Sequence, residues 1–354
     1  MQKKWLIYGA YGYTGELIAR EAKRRGMSPV LAGRNPEKLK PLGDELQLET
    51  RVFPVNASAA ESLSDVALVL HCAGPFQKTS AAIIEACLEA GADYLDITGE
   101  ISVFENSFAQ DRKAKEAGIT ICSGAGFDVI PTDCTGLKLK ELMPDAISLS
   151  LGFDSDSGIS PGTYKTMIQG MGSGSAERRN GKIVPVKLGK QRRMIDFGRG
   201  TRSAIGIPWG DVSTAFYTTG IPNISTWIPM KKSRIIGARF LSPASSVLAF
   251  PFIQKTLKKW VERRVSGPDE TLRAGAPAYI WGEARNADGV VTTVRIRTAN
   301  VYDLTVYGAL EVVSRLLDGD YPFGSHTPAA LFGSGLIEEL PGSGKFEAET
   351  IYPK

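Results

Sequence analysis

Histidine is nearly absent from this 354-residue chain, which has two, His71 and His326. So few imidazoles leave little material for a catalytic metal centre or a Ser-His hydrolase. Cysteine is scarce too. Cys72, Cys87, Cys122 and Cys134 include no close pair of the kind that zinc or a redox dithiol requires. They read as reduced, buried thiols of a cytoplasmic protein. No stretch reaches the roughly 18 to 20 uncharged apolar residues that a membrane-spanning helix needs. Lys3-Lys4 followed by WLIYGAYGY superficially mimics a signal peptide, but without a cleavage-type exit it makes better sense as a strand entering a glycine turn. Charge of one sign is not in excess either: 42 Lys and Arg face 38 Asp and Glu, a net +4, too little to argue for a nucleic-acid partner. No internal repeat is found, and the 38 glycines follow no period.

What the chain does have is alternation. Strand-like runs at 4–8, 28–32, 50–54, 67–72, 93–97 and 119–123 are separated by helical patterns near 14–25, 36–46, 58–64, 79–90 and 102–117. In the helix at 79–90, Ala82, Ile83, Ala86, Cys87 and Ala90 recur at helical spacing, and Gly91 follows as a stop. Such alternation predicts right-handed βαβ crossovers and a parallel sheet covered on both faces, an α/β, Rossmann-type doubly wound fold. The sharpest motif lies where the first strand meets the first helix: Gly9-Ala10-Tyr11-Gly12-Tyr13-Thr14-Gly15. Glycines at 9 and 12 let the backbone turn sharply against a pyrophosphate, and Gly15 lets the helix pack close to the sheet. The helix N-terminus then offers unpaired N–H groups to the phosphates.

The second strand ends Ala32-Gly33-Arg34-Asn35. Enzymes that use NAD place an acid there to bond the ribose 2′-hydroxyl. Here no acid stands at the tip. Arg34, with Lys38 a turn further on, is placed for a 2′-phosphate, which a guanidinium grips bidentately, so the expected cofactor is NADP(H). After the fourth strand come Cys72, Ala73, Gly74, Pro75 and Phe76, small residues at a strand's C-terminal end, where the nicotinamide half of the cofactor should lie. His71, inside that strand, reads as a core residue before it reads as a proton donor.

The stretches GAYGYTGELIA (9–19), LAGRNPEKL (31–39), LHCAGPF (70–76), YLDITGE (94–100), GFDVIPTD (126–133), PWGDVSTAFYTTGIPNI (208–224) and TPAALFGSGLIEELPG (327–342) resemble the saccharopine dehydrogenase-like oxidoreductases. The likeness is closest to the enoyl-reductase-like and uncharacterised bacterial branch. It implies an NADP-binding Rossmann domain over 1–124, an inserted mixed α/β substrate domain over 125–302, and a C-terminal segment, 303–354, returning to the first domain. The residues are compatible with this. Alternating runs over 277–298 flank Asn286-Ala287-Asp288-Gly289, a strong hairpin signal. Residues 303–317 are in mostly helical register.

The chemistry expected of such a chain is hydride transfer from NADPH to a C=C or C=N bond of a hydrophobic or carrier-linked substrate. The alternative is an NADP-binding sensor or scaffold without turnover. Reduction also needs a proton. The Tyr-x-x-x-Lys pair of short-chain dehydrogenases occurs nowhere, which leaves Tyr164, Asp128 and Glu100, with Asp96, as candidate donors. Each also has a plain structural reading. Asp96 can fix the loop that follows it by side-chain-to-backbone bonds, and Asp128 and Thr132 can cap a helix whose first turn holds Pro131.

Charge is unevenly spread. Residues 177–202 carry nine basic residues against Glu177 and Asp196, and 228–264 carry nine against Glu262, so the rest of the chain is net acidic. Between the cations of the second stretch lies the uncharged FLSPASSVLAFPFI (240–253). It is too short to span a bilayer but suited to lying on an anionic surface. The expected partners are therefore a small-molecule or carrier-linked substrate, which the basic stretches suit to being anionic, no nucleic acid, and a peripheral contact with anionic membrane through 228–264. The oligomeric state stays open, with a dimer compatible.

Overall fold

The computed structural model describes residues 4–56, 59–157, 175–187, 191–230 and 276–353. The chain divides into two compact units, residues 1–130 with 302–341 and residues 131–301 with 342–354.

The first unit is built on a seven-stranded parallel sheet. Its strands are β1 (Trp5–Tyr8), β2 (Val30–Gly33), β3 (Thr50–Val52), β4 (Leu68–His71), β5 (Asp93–Asp96), β6 (Thr120–Cys122) and the late β15 (Gly324–His326), in the order β15-β6-β5-β4-β1-β2-β3. Leu6, Ile7, Leu31, Leu68 and Leu70 are completely buried, as continuous apolar runs in a sheet covered on both faces should be. The helices between the strands are α1 (Tyr13–Arg24), α2 (Pro36–Leu46), α3 (Phe76–Ala90), α4 (Ile101–Ala109) and α5 (Asp111–Ala117). Two expectations are corrected. Among its described residues, 59–64, the run read as a helix over 58–64 forms a 3₁₀ turn at Glu61–Leu63 and no α-helix. The helix read over 102–117 breaks at Gln110, which leaves helical geometry at φ −87°, ψ 0°.

Strand order reverses between β1 and β4, because β2 lies on the other side of β1. Loops leaving the C-terminal ends of β1 and β4 therefore diverge to opposite faces and open a crevice between them. The helix α8 (Val301–Asp318) buries Leu304, Leu310, Val312 and Val313. Its Thr305 Oγ1 accepts the Phe127 N–H at 3.1 Å. The short helices α9 (Pro328–Phe332) and α10 (Leu336–Glu339) follow.

The second unit holds a mixed nine-stranded sheet. It comprises β7 (Ser148–Ser155), β8 (Ser175–Arg179), β9 (Lys182–Val186), β10 (Arg192–Asp196), β11 (Thr201–Ile207), β12 (Asn223–Pro229), β13 (Ala278–Arg285), β14 (Val291–Thr298) and β16 (Glu347–Ile351). The helices α6 (Ile130–Leu142), with Pro131 in its first turn, and α7 (Asp211–Thr219) pack their Leu139, Met143 and Ala215 on Leu149, Leu151 and Ile224. A Cβ on Gly282 would stand 2.6 Å from Thr135 and 2.7 Å from Leu139, so glycine at that point lets α6 lie close on the sheet. The hairpin read from Asn286–Gly289 joins β13 to β14, and Gly289 takes φ +82°.

The tail departs from expectation. Residues 342–354 belong with the second unit, because Glu347–Ile351 pairs antiparallel with β14 from Arg295↔Glu347 to Val291↔Ile351. Every residue of β16 is exposed. The strand is held by main-chain bonds at a sheet edge and carries no apolar pattern to announce it.

Candidate functional site

The crevice at the β1/β4 reversal is bounded first by the glycine turn. Gly9 has φ +88°, and a Cβ there would meet Ala73 at 2.8 Å, so the turns leaving β1 and β4 touch at a position only glycine suits. Gly9 and Ala10 both donate to Ala32 O, at 2.8 and 3.2 Å, and Gly12 N–H donates to Gly9 O at 2.9 Å. Gly12 is the N-cap of α1 and provides no side-chain bond, which leaves the helix's first N–H groups for an anion. A Cβ on Gly15 would come 2.3 Å from Gly9 O. The third glycine thus allows the helix to seat against the turn. Thr14 lies in the first turn of α1, and Tyr13 beside it sets its ring edge-on against Tyr302 at 5.3 Å.

At the end of β2, a Cβ on Gly33 would fall 2.4 Å from the Tyr11 ring; the bare glycine is what gives this tyrosine its place. Tyr11 and Lys38 line one cavity with Glu16, Arg20, Pro41, Leu42 and Glu45. Arg34 and Lys38 are exposed, and neither side chain makes a hydrogen bond or ion pair among the described residues. Asn35 caps α2 through Oδ1 to Lys38 N at 3.2 Å, which fixes the backbone that presents both cations.

Beyond β4, Cys72 leads through Ala73 and a cis Gly74–Pro75 bond to Phe76, the first residue of α3. Burial pushes the Cys72 thiol far above its ordinary range, so it stays protonated and inert as a nucleophile. The carboxylate of Glu100 reaches across to this loop: Oε1 accepts Phe76 N–H at 3.2 Å and Oε2 accepts Gln77 N–H at 3.1 Å. Glu100 thus closes the N-terminus of α3 from another element, doing for that helix what an acidic cap does.

Glu100 is held in turn. Its N–H donates to Thr98 Oγ1 at 3.1 Å, and Thr98 N–H donates to Asp96 Oδ1 at 3.1 Å. The same Asp96 oxygen accepts Gly124 N–H at 2.8 Å. Asp96 is fully buried, and burial raises its pKa against the hydrogen bonds that lower it. The acid read as a candidate donor therefore ties the loops after β5 and β6 together, a structural task for which its side-chain bonds are already committed.

Asp128 lies at the turn after β6. It is partly exposed, and its carboxyl lies against Gly99, where a Cβ would stand 2.5 Å from Oδ2. Burial, reinforced by the charge of Glu100, pushes its pKa up to about 7. A carboxyl poised at neutral pH can give and take a proton. Tyr164 lies outside the described residues, and so do residues 231–264 of the basic, partly apolar stretch.

His71 lies behind the crevice, completely buried. The Tyr94 hydroxyl donates to Asp96 Oδ2 at 2.9 Å and lies 3.0 Å from His71 Nδ1. Burial pushes His71 down to about 3, and it stays neutral. Its contribution to stability is present above the ordinary histidine pKa of about 6.5 and is lost as pH falls toward 3. Thermal melts of wild type and His71→Leu from pH 7 to pH 4 should show a shallower acid decline in the variant; parallel curves would contradict this. Tyr94, the middle of this chain, was missed by sequence reading, since a tyrosine inside an apolar strand looks like any core aromatic.

In the second unit, much of the basic stretch is internally paired. Arg178 is buried and donates to Val212 O and Gly181 O, at 2.8 and 2.7 Å. Arg193 pairs with Glu283 at 2.7 Å and lies over the rings of Trp227 and Trp281. Arg199 bonds Asp154 and Asp156.

Residues 5–122 match the family described as the saccharopine dehydrogenase NADP binding domain. The first unit is an NADP-binding domain. A probable mitochondrial saccharopine dehydrogenase-like oxidoreductase of Arabidopsis thaliana is 32% identical over 195 residues, 47% of this chain and 42% of the relative. A trans-acting enoyl reductase of Mycobacterium ulcerans is 32% identical over 138 residues, covering 36% and 33%. A lipid droplet localized protein of Caenorhabditis elegans is 27% identical over 225 residues, covering 57% and 51%. These alignments span about half or less of each relative. The fold of the whole chain matches saccharopine dehydrogenase (L-Glu forming) from Saccharomyces cerevisiae, with a TM-score of 0.66 at 12% identity, over 99% of this chain and 100% of that one. The sequence likeness to the saccharopine dehydrogenase family thus rests on its NADP binding domain, residues 5–122, which supports NADP(H) as the cofactor, and the 12%-identical match shows a shared fold.

Proposed function

We propose that this protein is an NADPH-dependent reductase acting on a C=C or C=N bond of a hydrophobic or carrier-linked substrate, with Asp128 as the proton donor. The observation that carries the reading is a carboxyl with a pKa of about 7 beside a loop, Gly99–Glu100, that also holds the start of α3. The glycine turn suits the cofactor: Cβ atoms at Gly9 and Gly15 would collide with Ala73 and with the Gly9 carbonyl, so the tight turn needs both glycines, and the α1 N-terminus has no side-chain cap. Residues Gly9 to Gly15 would hold the diphosphate, Arg34 and Lys38 the 2′-phosphate, and Cys72 to Phe76 the nicotinamide side. When bound, NADPH supplies the hydride. Asp128, its pKa raised toward neutrality, gives its proton to the atom of the reduced bond that does not receive hydride, and then recovers one from solvent.

The test is NADPH consumption, followed at 340 nm, with a panel of 2-enoyl thioesters and cyclic imines. Turnover of a panel member that depends on Asp128 supports the reading. NADPH binding with no consumption of any acceptor would favour the non-catalytic sensor instead.

We also propose a peripheral contact with anionic membrane through 228–264. Its basic, partly apolar sequence supports this, as does the kinship with a protein named for lipid droplets. No helix among the described residues is long and apolar enough to cross a membrane. Flotation with anionic but not with neutral liposomes is the expected result; flotation with neither would dismiss the contact.

A further inference from the structure

We infer that Gly99 and Glu100 are positioning residues for Asp128: the missing side chain at 99 makes the berth for its carboxyl, and Glu100 fixes a negative charge beside that berth. The inference rests on the proposal that Asp128 donates the proton, and deepens it by naming what sets the donor's strength.

Two observations point the same way. The first is steric. The backbone at Gly99 is not in the left-handed region, so conformation does not demand glycine there. Space does. A Cβ would stand 2.5 Å from Asp128 Oδ2, 3.0 Å from its Cγ and 3.1 Å from its Cβ, so the whole end of the aspartate occupies the volume an alanine methyl would need. The second is electrostatic. Glu100 is buried, with both carboxylate oxygens bonded to N–H groups of the first turn of α3 and its own N–H anchored on Thr98. A helix N-terminus stabilises negative charge. The carboxylate cannot swing away to relieve repulsion when a second charge forms beside it. Burial of the Asp128 carboxyl opposes its ionisation first, and the charge of Glu100 adds to that opposition.

The arrangement has a chemical consequence. An ordinary carboxyl would be ionised at neutral pH and could accept a proton but not offer one. Buried, and set beside a clamped anion, Asp128 has its pKa raised to about 7, so a protonated fraction is available at neutral pH and is renewed from solvent after each transfer. Glu100 contributes to this without touching the reacting atoms. The same side chain orders the first turn of α3, where the nicotinamide loop ends, so one residue fixes both the loop and the acid.

The experiment is a carbon-13 NMR titration of the full chain saturated with NADPH, labelled at the aspartate carboxyl carbons, with Asp128→Asn assigning the resonance. Wild type should show Asp128 titrating near pH 7. Glu100→Gln removes the charge and should lower the midpoint measurably, while burial still holds it above the ordinary carboxylate range. An unchanged midpoint in that variant overturns the inference. Should Glu100→Gln fail to fold, Gly99→Ala carries the test, because it leaves Glu100 and its clamp in place. Alanine should push the carboxyl toward water and again lower the midpoint, and an unmoved midpoint overturns the inference equally. These readouts do not depend on turnover. If Asp128→Asn reduces substrate at the wild-type rate, the proton-donor reading fails on its own, whatever the titration shows.

Discussion

Asp128→Asn is expected to cut NADPH-dependent turnover by about two to four orders of magnitude, the usual worth of a positioned general acid, while the dissociation constant for NADPH stays within about twofold. Asparagine keeps the size of the side chain in the berth beside Gly99, so packing is preserved and the proton is lost. The same variant should change how stability depends on pH. The folded pKa of Asp128, about 7, lies above the ordinary aspartate value. Between those values the folded chain binds a proton that the unfolded chain releases. The favourable contribution of this group is therefore fully present below the ordinary aspartate pKa and is lost as pH rises through about 7. The loss amounts to at most a few kcal/mol. Asp128→Asn removes it, so thermal melts should show the variant more stable than wild type at pH 8 and the difference closing toward pH 4. A variant with wild-type turnover, or one less stable at alkaline pH, would argue that Asp128 is only part of the α6 entry.

Arg34→Gln is the second large effect. Among the described residues Arg34 is engaged in no ion pair and is exposed at the C-terminal end of β2, where the adenosine ribose of a dinucleotide lies in this fold. Hydrogen bonds to a charged group contribute about 1.5 to 3 kcal/mol each, and each 1.4 kcal/mol is tenfold in affinity. The variant should bind NADPH about 10- to 100-fold more weakly, with NADH affinity nearly unchanged. Lys38→Gln should show the same selectivity at smaller size, since a lysine ammonium meets phosphate as a point charge without the fork of arginine. Calorimetric titration with both nucleotides reads this directly. A loss shared equally between NADPH and NADH would mean that Arg34 shapes the loop without reading the 2′-phosphate.

Sequence reading reached the first unit well because its signals are of a kind that sequence carries. Strands β1, β2, β4 and β5 are apolar runs bounded by polar or glycine residues, and each lies within two residues of where its pattern put it. The glycine spacing fixed the crevice, since Gly9, Gly12 and Gly15 each answer a contact that a Cβ would break or crowd. Elsewhere the signal was missing. β16 is exposed along its length, so no hydrophobic period marks it, and its place is set by pairing with β14 across some fifty residues of sequence. The candidate acids show the same limit at the site. YLDITGE displays Asp96 and Glu100 as equals, but one ties two loops and the other holds a helix start. The carboxyl raised to near neutrality is Asp128, thirty-odd residues along the chain from the first of them. What separates the three is the surroundings each carboxyl meets, and those depend on strands β4, β5 and β6 lying side by side. The value of glycine at 99 was invisible for the same reason: its neighbour is Asp128, on another loop.

The most direct measurement is a crystal structure of the protein with NADPH bound. The account predicts the diphosphate on the Gly9–Gly15 turn, the 2′-phosphate on Arg34, and the nicotinamide beside residues 72–76, on the same side of the crevice as the Asp128 carboxyl. A nicotinamide ring lying away from that loop, with Asp128 facing protein on every side, would contradict it.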